Sequence, residues 1–184
     1  MNIANKLTIL RIILIPFFIL CFYIAPLAQP VVVIGFETTY MNILALFIFS
    51  AAAITDYLDG YLARKLELIS DFGKFMDPLA DKMLTTAAFL IFINQGLLTS
   101  WMVFIILTRE FIVSGLRMTA ASKGVVIAAA ISGKIKTVLQ FILVIILLII
   151  PELNTFNVLL IYSMIIATVA SGAEYVSKNL HVLK

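Results

Sequence analysis

The chain has 184 residues, 63% of them hydrophobic and 12% charged, with a net charge of +3 and a mean hydropathy of +1.14. A soluble domain carries about 25% charged residues, so this composition excludes an ordinary water-exposed globular surface and makes lipid the solvent for most of the molecule. A single cysteine, Cys21, excludes an intrachain disulfide, and a single histidine, His181, leaves too few ligands for a zinc site of His and Cys. Any metal bound here is held by oxygen.

A spanning helix needs about 20 mostly apolar residues. Six such segments follow one another: Thr8–Pro26, Met41–Arg64, Asp77–Asn94, Ser100–Met118, Ser132–Ile150 and Phe156–Tyr175. Ahead of the first, Asn5-Lys6-Leu7-Thr8 with Arg11 reads as a short interfacial turn leading into the span. A cleaved leader would share the basic start, the apolar run and the small residues near Ala28, but its removal would leave five spans and one terminus outside. Pro26 with Pro30, Gly96 and Pro151 punctuate three connections. With no long linker, low-complexity tract or internal repeat, residues 1–184 read as one domain.

Basic residues set the orientation. Lys6 and Arg11 lie at the start, Arg64, Lys65, Lys74 and Lys82 around the second connection, Arg109, Arg117, Lys123, Lys134 and Lys136 around the fourth, and Lys178 and Lys184 in the tail. The connections around Phe36, Gly96 and Glu152 hold none. Cytoplasmic loops carry the excess of Lys and Arg. The expectation is therefore an all-α, multi-pass protein of a bacterial-type cytoplasmic membrane, with both termini cytoplasmic and Trp101 at the outer interface.

The second expected span ends in Asp56-Tyr57-Leu58-Asp59-Gly60-Tyr61-Leu62-Ala63-Arg64, and Gly73-Lys74-Phe75-Met76-Asp77-Pro78-Leu79-Ala80-Asp81 opens the third. Asp56 and Asp59 are spaced i,i+3 and Asp77 and Asp81 i,i+4, so each pair projects from one helix face. Pro78 suits a first helical turn. Asp77 is then either the N-cap or a residue of a helix that begins earlier. One acid near the end of a span is commonly a cap or an ion-pair partner, but two pairs on neighbouring helices mark a functional site. Four carboxylates at membrane depth repel unless cations neutralise them. Hard divalent cations, Mg²⁺ or Mn²⁺, suit an all-oxygen site, and four acids suffice for two ions about 4 Å apart, the arrangement used in phosphoryl transfer.

Asp-x2-Asp-Gly-x2-Ala-Arg-x8-Gly-x3-Asp-x3-Asp, read from Asp56 to Asp81, resembles the signature of the CDP-alcohol phosphatidyltransferases at all eight fixed positions. Six spans also suit that family. The segments Asn5-Lys6-Leu7-Thr8 with Arg11, Thr108-Arg109-Glu110-Phe111, Leu116-Arg117 and Gly133-Lys134-Ile135-Lys136-Thr137 with Gln140 are similar to the members whose acceptor is glycerol 3-phosphate. Ala4 departs from the pattern, standing where proline is frequent. The resemblance implies that a glycerol 3-phosphate hydroxyl attacks the β-phosphorus of CDP-diacylglycerol and that CMP leaves. It implies Asp56, Asp59, Asp77 and Asp81 as metal ligands, with Asp81 also the general base. It implies Asn5, Thr8, Gly60, Arg64, Ser70 and Gly73 around CDP-diacylglycerol, and a homodimer.

This chemistry has physical reasons to want these residues. Gly60 lets a nucleotide approach the helix backbone, and Arg64 at i+4 offers a planar fork to a phosphate. A metal-bound carboxylate is a weak base, so Asp81 serves more by orienting the hydroxyl than by holding its proton. The acceptor's own phosphate calls for cations: Arg109, Arg117, Lys134 and Lys136 are the candidates, each weighed against a topological role. Arg109 stands first because Glu110 beside it points to a buried polar network, and Arg117 follows it at i+8. Lys134 and Lys136, at i,i+2, do not share a face. Serine or inositol phosphate would be alternative acceptors for the same donor. A divalent-cation transporter is a reading of another class, but it more often shows repeated halves and acids at the midplane. A non-catalytic lipid-binding scaffold would have no need of Asp81.

Overall fold

The computed structural model describes the backbone of residues 3–24, 29–33, 35–65, 71–124, 127 and 130–180, with the side chains of these apart from 3–6, 56–65, 71–78 and 81. Among the described residues the order is α1 (Ile3–Ile24), β1 (Pro30–Val33), β2 (Phe36–Thr39), α2 (Tyr40–Lys65), α3 (Asp71–Asn94), α4 (Ser100–Ser122), α5 (Ile131–Ile149) and α6 (Thr155–Asn179). Each of the six apolar segments is a helix. Three described stretches are long and apolar enough to cross a membrane: Leu7–Ile24, Ile131–Ile149 and Thr155–Asn179. Shorter apolar stretches run over Tyr40–Thr55 and Lys82–Asn94. The α4 helix is of spanning length but carries Arg109, Glu110 and Arg117.

Three local features differ from the sequence expectations. The α1 helix begins at Ile3, so Asn5 to Thr8 continue into the apolar stretch rather than forming a separate interfacial turn. The α3 helix begins at Asp71, which puts Asp77 and Pro78 inside it and rules out Asp77 as its N-cap. The α1–α2 connection holds an antiparallel hairpin with Pro30 opposite Thr39 and Val33 opposite Phe36. Its Val31-Val32-Val33 run is β-branched, which suits a pleated strand, and Gly35 adopts φ 84°, the left-handed conformation such a tight turn requires. The second strand feeds directly into α2. Thr39 Oγ1 accepts a hydrogen bond from the Asn42 backbone N–H at 3.2 Å, an N-cap that satisfies one orphan donor of the first turn.

The chain divides into two compact units, Met1–Asn94 with Leu147–Pro151, and Gln95–Ile146 with Glu152–Lys184. In the first, α1 packs against both α2 and α3. Its buried face is Thr8, Arg11, Ile15, Phe18 and Cys21, spaced by three or four residues as one helical stripe demands. Phe18 meets Phe49 of α2 with ring centroids 6.0 Å apart. The α3 helix is buried more completely, with Ala80, Leu84, Ala87, Ala88, Phe89, Ile91 and Phe92 enclosed. In the second unit α4 packs on α6, where Val113, Leu116 and Tyr175 form a small core joined by Ile127 and Val176. The α6 helix buries Asn157, Ile161, Met164, Thr168, Ser171 and Tyr175, again at steps of three and four.

Candidate functional site

The carboxylates and the donor-binding candidates fall in the first unit. Asp56, Asp59, Gly60 and Arg64 stand on the last turns of α2, Gly73, Asp77 and Asp81 on the first turns of α3, and Asn5 on the first turn of α1. Their side chains, and all of Ser70, lie outside the described residues. Because both segments are helical, the i,i+3 and i,i+4 spacings keep each acid pair to one face. The α2 and α3 helices pack against each other. Among the described residues no three acidic, His or Cys side chains gather.

Thr8 is fully buried on the inner face of α1, and Arg11, one turn further on, is buried with it. From the sequence, Arg11 counts toward topology and belongs to the N-terminal segment that resembles the family, with no site role of its own. A guanidinium enclosed in an apolar helix pays a large desolvation cost that opposite charge and hydrogen bonds must offset, so its place is structural or functional rather than topological. The signal was present: Thr8, Arg11, Ile15 and Phe18 form one stripe, and a charge within a buried stripe is informative.

The second unit holds the four acceptor candidates, and it separates them. Arg109 and Lys136 come together on one carboxylate. Arg109 Nη1 donates to Glu110 Oε1 at 3.2 Å, and Lys136 Nζ donates to the same oxygen and to Gln140 Oε1. The Lys136 side chain is only 2% exposed and that of Arg109 11%. Arg117 and Lys134 are exposed. Lys136 is buried because it heads the inner stripe of α5, followed at helical spacing by Gln140, Leu143 and Leu147. Lys134, two residues earlier, points off that stripe. Gln140 was given no role in the sequence reading, although its i,i+4 spacing from Lys136 in an apolar helix marks it.

Among the described residues, Arg109 and Lys136 share the Glu110 carboxylate. A planar guanidinium beside a buried ammonium suits a phosphate, which accepts several charge-assisted hydrogen bonds at once. Arg109 Nε is buried and has no hydrogen-bond partner among the described residues. Beside it runs an open apolar groove of about 400 Å³ between α4 and α6, lined by Phe104, Thr108, Arg109, Ile112, Thr168 and Gly172 among others.

Known proteins align with nearly the whole chain. The profile of the CDP-alcohol phosphatidyltransferases matches residues 1–171. The CDP-diacylglycerol–glycerol-3-phosphate 3-phosphatidyltransferase of Bacillus subtilis is 45% identical over 189 aligned positions, covering 100% of this chain and 97% of the relative. The enzyme of the same name from Pseudomonas fluorescens is 37% identical, covering 90% of this chain and 82% of the relative. A probable phosphatidylglycerophosphate synthase of Mycobacterium tuberculosis is 36% identical over 97% of this chain and 82% of its own length. With the eight-position acid motif intact inside that alignment, the chain belongs to the CDP-alcohol phosphatidyltransferase family.

Proposed function

We propose that this chain transfers the phosphatidyl group of CDP-diacylglycerol to glycerol 3-phosphate, giving phosphatidylglycerophosphate and CMP. The observation that carries the reading is the end-to-end likeness to a relative named for that reaction. The pairing of Arg109 and Lys136 on Glu110 supports a phosphorylated acceptor. The protein works as a single membrane domain of six spans with both termini and the carboxylates on the cytoplasmic side, as a homodimer. Diacyl tails then stay in the bilayer while the headgroup meets a water-soluble acceptor.

Asp56, Asp59, Asp77 and Asp81 stand on two packed helices of one unit, and an all-carboxylate donor set fits a hard divalent cation, Mg²⁺ or Mn²⁺. A divalent ion held by these carboxylates would supply positive charge to neutralise the donor's pyrophosphate and the leaving CMP. Gly60 and Gly73 leave the α2 and α3 backbones open to the nucleotide. Arg64 pairs with a phosphate of the donor through its fork. Asn5, Thr8 and Ser70 complete the donor pocket. Arg109 and Lys136 hold the acceptor's phosphate, with Arg117 and Lys134 as exposed cations that attract it. Asp81 orients the acceptor hydroxyl and receives its proton as the oxygen bonds to the β-phosphorus and the bond to the CMP oxygen breaks.

Purified protein in detergent, given CDP-diacylglycerol and Mg²⁺, should release CMP with glycerol 3-phosphate and not with serine or inositol phosphate. Asp81→Asn and chelation should each abolish release. Turnover with another acceptor would overturn the substrate, and CMP release undiminished in Asp81→Asn would overturn the role of Asp81.

A further inference from the structure

The Arg109 side chain takes an unusual course. It leaves α4 and crosses α6 at Gly172, where an added Cβ would sit 2.9 Å from Arg109 Cγ and 3.8 Å from its Cβ. Its guanidinium ends at Gly133 of α5, where an added Cβ would lie 3.4 Å from Nη2. The stem is therefore confined at its root, where it cannot yield as a flexible tip would, and the head is held by Glu110 at 3.2 Å. Glu110 lies next to Arg109 in sequence, and it also receives Lys136 from another helix. One carboxylate thus sets the separation of the two cations, and one glycine sets the track of the longer one.

We propose that Glu110 and Gly172 are positioning residues for the acceptor: Glu110 fixes Arg109 and Lys136 as a pair, and Gly172 leaves the gap through which Arg109 reaches that pair. The proposal rests on the reading of Arg109 and Lys136 as the acceptor's phosphate site. Two cations close together in a poorly hydrated site repel, and Glu110, bonded to both, offsets part of that repulsion. A side chain at Gly172 has no such electrostatic effect. It forces the Arg109 stem out of its track and moves the fork away from Lys136. The two residues therefore act by different means on one arrangement, and they can be tested separately. Gly172 also lies just past the segment matched by the family profile, which ends at residue 171.

Steady-state kinetics with both substrates test this, using Gly172→Ala, Glu110→Gln, Glu110→Asp and Arg109→Ala, and Gly172→Ala combined with Arg109→Ala. Gly172→Ala and Glu110→Gln should raise KM for glycerol 3-phosphate by about tenfold to a hundredfold, the weight of one hydrogen bond to a charged group. KM for CDP-diacylglycerol should not move, which also reports that the variants are folded. Glu110→Asp, which keeps the charge, should recover part of the acceptor affinity lost in Glu110→Gln. In the Arg109→Ala background Gly172→Ala should add nothing, because the two act through one side chain. Equal penalties from Gly172→Ala with and without Arg109, or an unchanged acceptor KM in Glu110→Gln, would overturn the proposal while a raised KM in Arg109→Ala left the acceptor site standing. An unchanged acceptor KM in Arg109→Ala would remove the acceptor site itself, and the positioning roles with it.

Discussion

Lys136 is the most deeply enclosed of the four acceptor cations, and among the described residues Glu110 and Gln140 accept from its ammonium. Taking it away strands a carboxylate that still has Arg109, so the cost is that of a charged hydrogen bond rather than of a bare buried ion. Lys136→Met should lower stability by about 1–3 kcal/mol. Arg117→Ala and Lys134→Ala, at exposed positions, should stay within about 0.5 kcal/mol. Thermal unfolding of the three variants in one detergent checks the contrast, and equal shifts would contradict it. The sequence went part of the way to this division. Spacing of i,i+2 already says that Lys134 and Lys136 cannot both face inward. It does not say which does, since apolar residues flank both. The i,i+4 partner Gln140 is the feature that decides it.

Helices α4 and α6 open with the same device at different strengths. Asn154 Oδ1 accepts from the Asn157 N–H at 2.8 Å, and Asn157 Nδ2 donates to the Glu152 carbonyl at 2.7 Å, so the entry to α6 is tied twice. Thr99 Oγ1 accepts from the Met102 N–H at 3.4 Å, a longer and weaker cap. Asn154→Ala should cost about 1 kcal/mol and Thr99→Ala less; unfolding midpoints that rank the other way would contradict the caps as drawn. The elements themselves were legible, because an apolar run of about 20 residues leaves a helix as the way to satisfy its backbone in lipid. The hairpin at Pro30–Thr39 was not. Eight residues of two short strands carry little periodicity, and the prolines around them read equally well as a loop. The sequence does not choose between the two starts of α3 for a related reason. Proline at a first turn is common, whereas proline well inside a helix costs about 3 kcal/mol and is expected only when packing compensates.

At the scale of the whole molecule the basic residues set the orientation. No basic residue falls on the connections around Phe36, Gly96 and Glu152, which in the proposed topology places Lys123 inside and Gln95 and Glu152 outside. In a Cys21→Ala background, Glu152→Cys and Gln95→Cys should react with an impermeant thiol reagent added to intact cells, and Lys123→Cys only after the membrane is opened. Labelling of Lys123→Cys from outside would invert the topology. The sequence by itself determined the solvent, the helices, the acid motif and the family, because hydropathy and fixed spacing are local quantities that survive without knowledge of neighbours. Only the tertiary structure decided that Arg11 is enclosed, that Lys136 rather than Lys134 turns inward, and that Arg109 runs past Gly172. Those outcomes depend on groups far apart in the chain, such as Glu110 and Lys136 at a separation of 26 residues, and a buried charge is decided by the partner that packing brings to it.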